Sequence, residues 1–284
     1  AALACAAALV VSPGAILAST CSWLPTLSRD FEAADRVFLG MITASERREA
    51  RADLELAVSV RPLEVFKGDV ARELHLAAGR PHGDDLLLEG LEERQTWLFF
   101  LSRENTWPGP CSGTARAADG SNAEPRVEAW LAQLRRAGAD PADRLPEPWV
   151  AAQPTGGLCA LSLSFVAPEG SGGSHFGNLA FLRDASGPRV GFRYHPPARA
   201  HLGPDPRVGL VVDDAAFSLE PVDDRGAFEL NGSSDELLDS LLLAADSTVT
   251  VQPGGGEPID VRYAGLREAT ERFERCGANL PPLD

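Results

Sequence analysis

Between residues 35 and 101 the apolar positions recur every second residue. Val37, Leu39 and Met41 interleave with Phe38 and Ile42, then Leu54, Leu56, Val58 and Val60 alternate with Glu55, Ala57 and Ser59, and Leu74 and Leu76 alternate with Glu73 and His75. That is the period of half-buried strands. Lys67-Gly68-Asp69 breaks the run as a turn, and residues 95–101 form a continuous apolar strand through Trp97, Leu98, Phe99 and Phe100. Short antiparallel strands with no helix between them predict a small closed barrel or a sandwich.

The period then changes. After a polar stretch over 115–123, Val127, Trp130, Leu131 and Leu134 have the spacing of an amphipathic helix, with Arg135 and Arg136 suited to its last turn and Gly138 to its stop. Pro141, Pro148, Pro154 and the Gly156-Gly157 pair predict an extended linker. A second strand-rich block opens with Cys159, Leu161, Leu163 and Phe165, and continues over 179–182, 190–194, 208–212, 216–219 and 227–230. Ser233 and Glu236 form a capping-box pattern ahead of Leu237, Leu238, Leu241 and Leu242. Strands over 248–251 and 259–263 and a final helix presenting Leu266, Ala269, Phe273 and Cys276 on one face complete an antiparallel sheet with two late helices. This second block is an α+β domain, and the chain as a whole is mainly β.

The amino-terminal run 1–17 is apolar and alanine-rich and gives way at Ala18-Ser19-Thr20 to Cys21. It has the h-region and small-residue cleavage site of a secretory signal, so 1–20 is expected to be a signal remnant and Cys21 the mature terminus. Pro13-Gly14 interrupts the run, which is too short to span a bilayer. No membrane span is therefore expected in the mature chain, and its location is expected to be periplasmic or secreted.

With Cys5 removed, Cys21, Cys111, Cys159 and Cys276 remain, an even count that predicts two disulfides in an exported chain, with three pairings available. Position favours local closure: Cys21 and Cys111 bracket one strand-rich block, Cys159 and Cys276 the other. Each bridge closes a loop of roughly 100 residues, worth about 4 to 5 kcal/mol of chain entropy. No CxxC or paired Cys/His spacing points to zinc.

The 44% of hydrophobic residues suffices for cores in two ordinary domains. A net charge of −15 without a basic stripe opposes a phosphate backbone, which excludes nucleic acid as a partner. Lys67 is the only lysine, and the Ala, Arg, Gly and Pro bias fits high-GC bacterial coding. The expected divisions are 21–120 for the barrel, 121–156 for the helix and Pro-rich linker, and 157–284 for the α+β domain.

Several pieces taken in order carry a resemblance. They are Cys-Ser-Trp-Leu-Pro from Cys21, Phe31 to Gly40, Leu63-Glu64-Val65-Phe66-Lys67-Gly68, Trp97 to Leu101, and Cys111-Ser112-Gly113-Thr114. Together they resemble the netrin-like domain of tissue inhibitors of metalloproteinases, in its bacterial form, over about 21–116. The resemblance implies an OB-type five-stranded Greek-key barrel whose N-terminal segment is tied to its surface by a disulfide. The family's opening Cys-x-Cys is here Cys-x-Trp, ending at Trp23, and an internal cysteine expected near 83–90 is missing. If the retained cysteines are partners, Cys21 joins Cys111. The resemblance also implies that the amine and carbonyl of Cys21 chelate a target protease's zinc while Ser22 enters its specificity pocket. Cys21, Ser22 and Trp23 thus form a candidate inhibitory ridge, and the expected partner is another protein, with a zinc metalloprotease as the sharpest case. Residues 157–276 more weakly resemble periplasmic proteins of the invasion-associated locus B type, which implies no catalytic residues.

No catalytic constellation, metal site or cofactor is expected. His75, His82, His175, His195 and His201 lie in no HExxH and beside no nucleophile motif. His195 and His201 near Asp213 or Asp214, and the pairs Asp84-Asp85 and Asp223-Asp224, are read as solvated loop and turn residues. The glycine runs 170–173 and 254–256 lack phosphate-loop spacing, and Asn231-Gly232-Ser233 is read as a helix cap rather than a glycosylation sequon. Trp97 and Phe99 are expected in the core. Trp23, Trp107 and Trp149 fall in loop-like segments and are expected to be exposed contact residues.

Overall fold

The alternating run folds into one long hairpin. In a computed structural model of the chain, the described residues are 25–50, 53–78, 93–102, 114–117, 125–138, 144–155, 157–166, 176–195, 207–222, 226–254 and 257–280. A short helix, α1 (Leu27–Ala33), leads into β1 (Arg36–Ala50) and β2 (Asp53–Lys67), which pair antiparallel with register shifts near Phe38, Gly40 and Ala44. β3 (Leu74–Ala78), β4 (Thr96–Leu101) and β5 (Ala115–Ala117) complete a five-stranded sheet of order β3-β2-β1-β4-β5. Phe38 and Ile42 of β1, Val58 and Val60 of β2, Leu74 and Leu76 of β3, and Trp97, Phe99 and Leu101 of β4 meet in a single core, with the Phe38 and Phe99 rings stacked at 5.0 Å. Four strands share one interior only in a strongly curled sheet, and the irregularities in β1 supply the bend. The order is that of an OB-type barrel read outward from a seam between β3 and β5.

The opposite face of β1 and β4 is apolar as well. Val37, Leu98 and Phe100, with Phe66 and Ala115, pack against α1 and against α2 (Pro125–Ala137), whose buried stripe is Val127, Trp130 and Leu134. Trp130 meets Phe100 edge-on at 5.7 Å. Burial on both faces is why β4 has no alternation.

β6 (Glu147–Pro148) and β7 (Val150–Thr155) begin a ten-stranded sheet. It continues through β8 (Leu158–Val166), β9 (Phe176–Asp184), β10 (Gly187–His195), β11 (Val208–Val212), β12 (Ala215–Pro221) and β13 (Ala227–Leu230). After α3 (Ser234–Leu243) come β14 (Thr248–Pro253) and β15 (Ile259–Ala264), then α4 (Leu266–Ala278). The lateral order is β6-β15-β14-β11-β12-β13-β10-β9-β8-β7, antiparallel except where β6 runs parallel to β15. β6 and β7 are opposite edges, yet Trp149 alone separates them in the chain. The two edges must therefore meet, and the sheet curls into a nearly closed barrel.

The stretch expected to be an extended linker thus supplies both edge strands. Prolines are tolerated there because an edge strand needs a hydrogen-bonding N–H on one side only. The polar stretch after Thr114 begins with β5 rather than a loop.

Ser233 caps α3 as its sequence pattern predicts, its Oγ accepting from the Glu236 N–H at 3.3 Å. α4 lays Leu266, Ala269 and Phe273 into the core of the ten-stranded sheet, and Cys276 is joined to Cys159 of β8 across a Cα–Cα distance of 5.9 Å. The protein is mainly β, and among the described residues no helix is long and apolar enough to cross a membrane.

Candidate functional site

The feature that bears on the predicted ridge is the way the chain just after it is fastened. Cys21, Ser22, Trp23 and Cys111 lie outside the described residues, which begin at Pro25. α1 is a seven-residue helix, too short to persist on propensity, and its N-cap Thr26 makes no side-chain capping bond. Its amino end is capped from 120 residues away. The Glu147 carboxylate accepts from the Leu27 N–H at 3.0 Å, from the Ser28 N–H at 3.3 Å and from the Ser28 hydroxyl. Its carboxyl end is held by Lys67, whose Nζ donates to the Phe31 carbonyl at 2.6 Å and the Glu32 carbonyl at 3.2 Å and lies 5.0 Å from the Phe31 ring centre. An anion at the N-terminus and a cation at the C-terminus complement the helix dipole at both ends. Phe31 and Lys67, 36 residues apart in the chain, are therefore in contact.

Glu147 is held in place by its sequence context. Pro146 and Pro148 flank it, which keeps the backbone extended. The β6 backbone pairs with Tyr263 and Ala264, and the Trp149 N–H donates to the Ala264 carbonyl at 3.0 Å. Burial pushes the Glu147 carboxyl up to about 7, against the Ser28 hydroxyl, the Arg144 charge and the α1 amides, which pull it down. Asp30 shares the interface. Burial pushes it up to about 7 as well, opposed by Arg29 and Arg126 and reinforced by Glu147. The Asp30 Oδ2 and the Thr26 Oγ1 are buried without a hydrogen-bond partner. A carboxyl near neutrality suits acid–base chemistry in principle, but Glu147 is only 5% exposed, so its role here is to hold α1.

The remaining candidates are dispersed. A cleft of about 220 Å³ lies between α2 and α4, floored by Trp149, with Glu128 and Arg272 paired across it at 2.9 Å. Trp149, expected to be an exposed contact residue, is instead buried. Its ring lies 5.9 Å from Phe181 and 6.1 Å from Tyr263, because the junction of the two sheet edges faces the core. Trp107 lies outside the described residues, while Trp97 and Phe99 are interior, as their apolar flanks predict.

Asp213 sits at φ 49° in the β11–β12 turn and accepts from the Ala245 N–H at 3.3 Å, a turn role. His82, His175, His201, Asp84, Asp85, Asp223 and Asp224 lie outside the described residues, and the His195 side chain is likewise not described. The sheet register brings together one pair that motif reading misses, Ser59 Oγ and His75 Nδ1 at 3.0 Å on an exposed face. Among the described residues no three His, Cys, Asp or Glu side chains are grouped to hold a metal.

Sequence reading missed Glu147 because its partners are remote. The local signal is an acidic residue locked between two prolines and followed by tryptophan. No family model matches the chain, and no curated protein or solved structure gives a match.

Proposed function

We propose that the chain is an exported, non-enzymatic protein-binding module of the bacterial envelope or exterior, and that it engages its partner through the N-terminal segment containing Cys21, Ser22 and Trp23. The observation that carries this reading is the double anchoring of α1, by Glu147 at one end and Lys67 at the other, a few residues after that segment. A binding segment with a rigid base loses less conformational entropy on association, which is the advantage of preorganisation. The netrin-like resemblance lacks one of the family's usual cysteine pairs, and the α1 anchorage supplies a non-covalent substitute for that constraint.

The same anchorage favours a second, sharper reading, a metalloprotease inhibitor in which the α-amine and carbonyl of Cys21 occupy the open position of a catalytic zinc. A protonated or acylated nitrogen has no lone pair for the metal. One alanine added before Cys21 is expected to abolish inhibition across a panel of zinc proteases, while Trp23→Ala only weakens it. Equal inhibition by native and extended proteins refutes chelation.

The broader proposal is tested by cross-linking the mature protein in envelope extract. A cross-linked species lost with the Ser22→Ala, Trp23→Asp double variant, with unchanged circular dichroism, supports binding through this segment. Undiminished cross-linking places the contact elsewhere.

A further inference from the structure

We propose that Ser59 is an acyl-acceptor site, its hydroxyl activated by His75 as general base and acylated by a neutral ester or thioester. The site lies on the five-stranded sheet, apart from the N-terminal segment, and stands whether or not that segment binds a partner.

Three strands set the geometry. Ser59 of β2 and His75 of β3 are direct partners in the ladder, and the Ser59 Oγ lies 3.0 Å from the His75 Nδ1. With the ring in its Nε2–H tautomer, Nδ1 accepts from the hydroxyl, which is the relation a nucleophile and its base require. Strand alternation puts both side chains on the outer face, because Val58 and Val60 beside Ser59, and Leu74 and Leu76 beside His75, are buried in the core beneath. Those four side chains fix the backbone that carries the pair. β1 fixes it further: the register shift between Ile42 and Ala44 takes Thr43 out of the ladder, and the Thr43 hydroxyl donates to the Ser59 carbonyl at 3.2 Å. A pair built on strands keeps its geometry better than one built on loops.

Small neighbours leave the pair open. Ala44 faces Ser59 across the β1–β2 ladder, and Ala57 lies two residues before it on the same face. Their methyl groups are too short to cover the hydroxyl. Ser59 is half-buried and His75 exposed, so an acyl group can approach from solvent. The net charge of −15 repels polyphosphate donors, whereas a neutral ester or thioester meets no such barrier, which favours acyl over phosphoryl transfer. In the transfer, the Ser59 oxygen forms a bond to the acyl carbon as its proton passes to Nδ1. The bond from that carbon to the alcohol or thiol then breaks, and the leaving group takes the bonding electron pair and the proton held by His75. The products are an ester on Ser59 and a free alcohol or thiol.

A hydrogen bond that only braced β2 against β3 would contribute about 0.2–1 kcal/mol and would not depend on a basic acceptor. The test is therefore acetylation of the full chain by 4-nitrophenyl acetate, followed site by site by peptide mass spectrometry, with Ser218, an exposed serine of β12, as internal reference. Ser59 is expected to be acetylated at least about tenfold faster than Ser218, and to slow in heavy water as proton transfer to His75 demands. His75→Gln keeps a hydrogen-bonding partner for the hydroxyl without a base, and is expected to bring the Ser59 rate down to that of Ser218 with circular dichroism unchanged. A wild-type Ser59 rate short of that margin overturns the proposal, as does a rate that His75→Gln leaves unaltered. An unchanged rate in heavy water assigns the attack to the imidazole itself and overturns it too. The first and last comparisons need no variant, so they decide even if His75→Gln disturbs the sheet.

Discussion

Replacing both Cys159 and Cys276 by alanine tests how α4 is held. The two cysteines are separated by 117 residues, and for a loop of that length the chain-entropy relation gives about 16 cal/mol/K, or about 4.9 kcal/mol at 25 °C. This is a ceiling, because the open denatured chain stays partly compact. Alanine is the right replacement, since Cys159 is fully buried beside Leu161 and a serine hydroxyl there would add an unsatisfied polar group.

The contacts left on α4 include the Leu266, Ala269 and Phe273 stripe, the exposed Arg272–Glu128 pair and the paired Arg183–Glu274 bonds at 2.6 and 2.9 Å. That ion pair is substantially exposed and contributes about 1 kcal/mol or less. The apolar stripe is enough to keep the helix in place, so the variant is expected to fold but to lose about 3–5 kcal/mol. Urea unfolding followed by tryptophan fluorescence and far-ultraviolet circular dichroism measures the loss. The m-value is expected to rise, because the uncrosslinked denatured state exposes more surface. Reducing agent should destabilise the wild-type protein by at least as much as the double substitution does, since it also opens any bridge between Cys21 and Cys111. A loss below about 1 kcal/mol, with m unchanged, would refute the reasoning that this bridge constrains the unfolded chain.

Trp149 is buried with its Nε1 unpartnered, so Trp149→Phe removes volume without orphaning a polar group and is expected to cost about 1 kcal/mol, against about 3–5 for Trp149→Ala. Equal losses for the two in urea titrations would contradict that assignment. Gly68 has φ 74°, and a Cβ there would lie 2.3 Å from the Asp35 carbonyl oxygen. Gly68→Ala is therefore expected to cost about 2 kcal/mol and, by displacing Lys67, to lower hydrogen-exchange protection in α1 selectively.

What the sequence made legible is what rests on local periodicity. β2, β8 and β11 alternate because one face is buried, α3 announces itself through Ser233 and Glu236, and the α4 stripe places Cys276 toward the core. α1 was not legible, because the charges that stabilise it come from Lys67 and Glu147, distant in the chain. β5 is an Ala-Arg-Ala triplet with no pattern to read, and β6 and β7 carry prolines that argue against strand unless their edge position is known. Trp149 is buried for the same reason that its sequence context suggests exposure: a proline-flanked tryptophan looks like loop until both neighbouring strands are in place.

These illegible pieces fall largely on one segment, and that has a thermodynamic consequence. Along residues 144–155, Leu145 enters the core shared by α1, α2 and the five-stranded sheet, while Trp149 enters the core of the ten-stranded sheet. Between them Glu147 takes the amides of α1 while its backbone pairs with β15, and beyond them Val150 and Ala151 pair with β8. The carboxylate that fixes α1 is therefore positioned by pairing inside the other sheet. Loss of β15 removes the geometry of Glu147 and leaves a buried acid without its donors, a cost of about 1–3 kcal/mol or more. Undocking α1 leaves the same acid facing a vacated interface. The stability of the N-terminal anchorage and that of the ten-stranded sheet are thus linked through a single side chain, so a perturbation far from α1, at β15 or β8, is transmitted to the chain that follows Cys21.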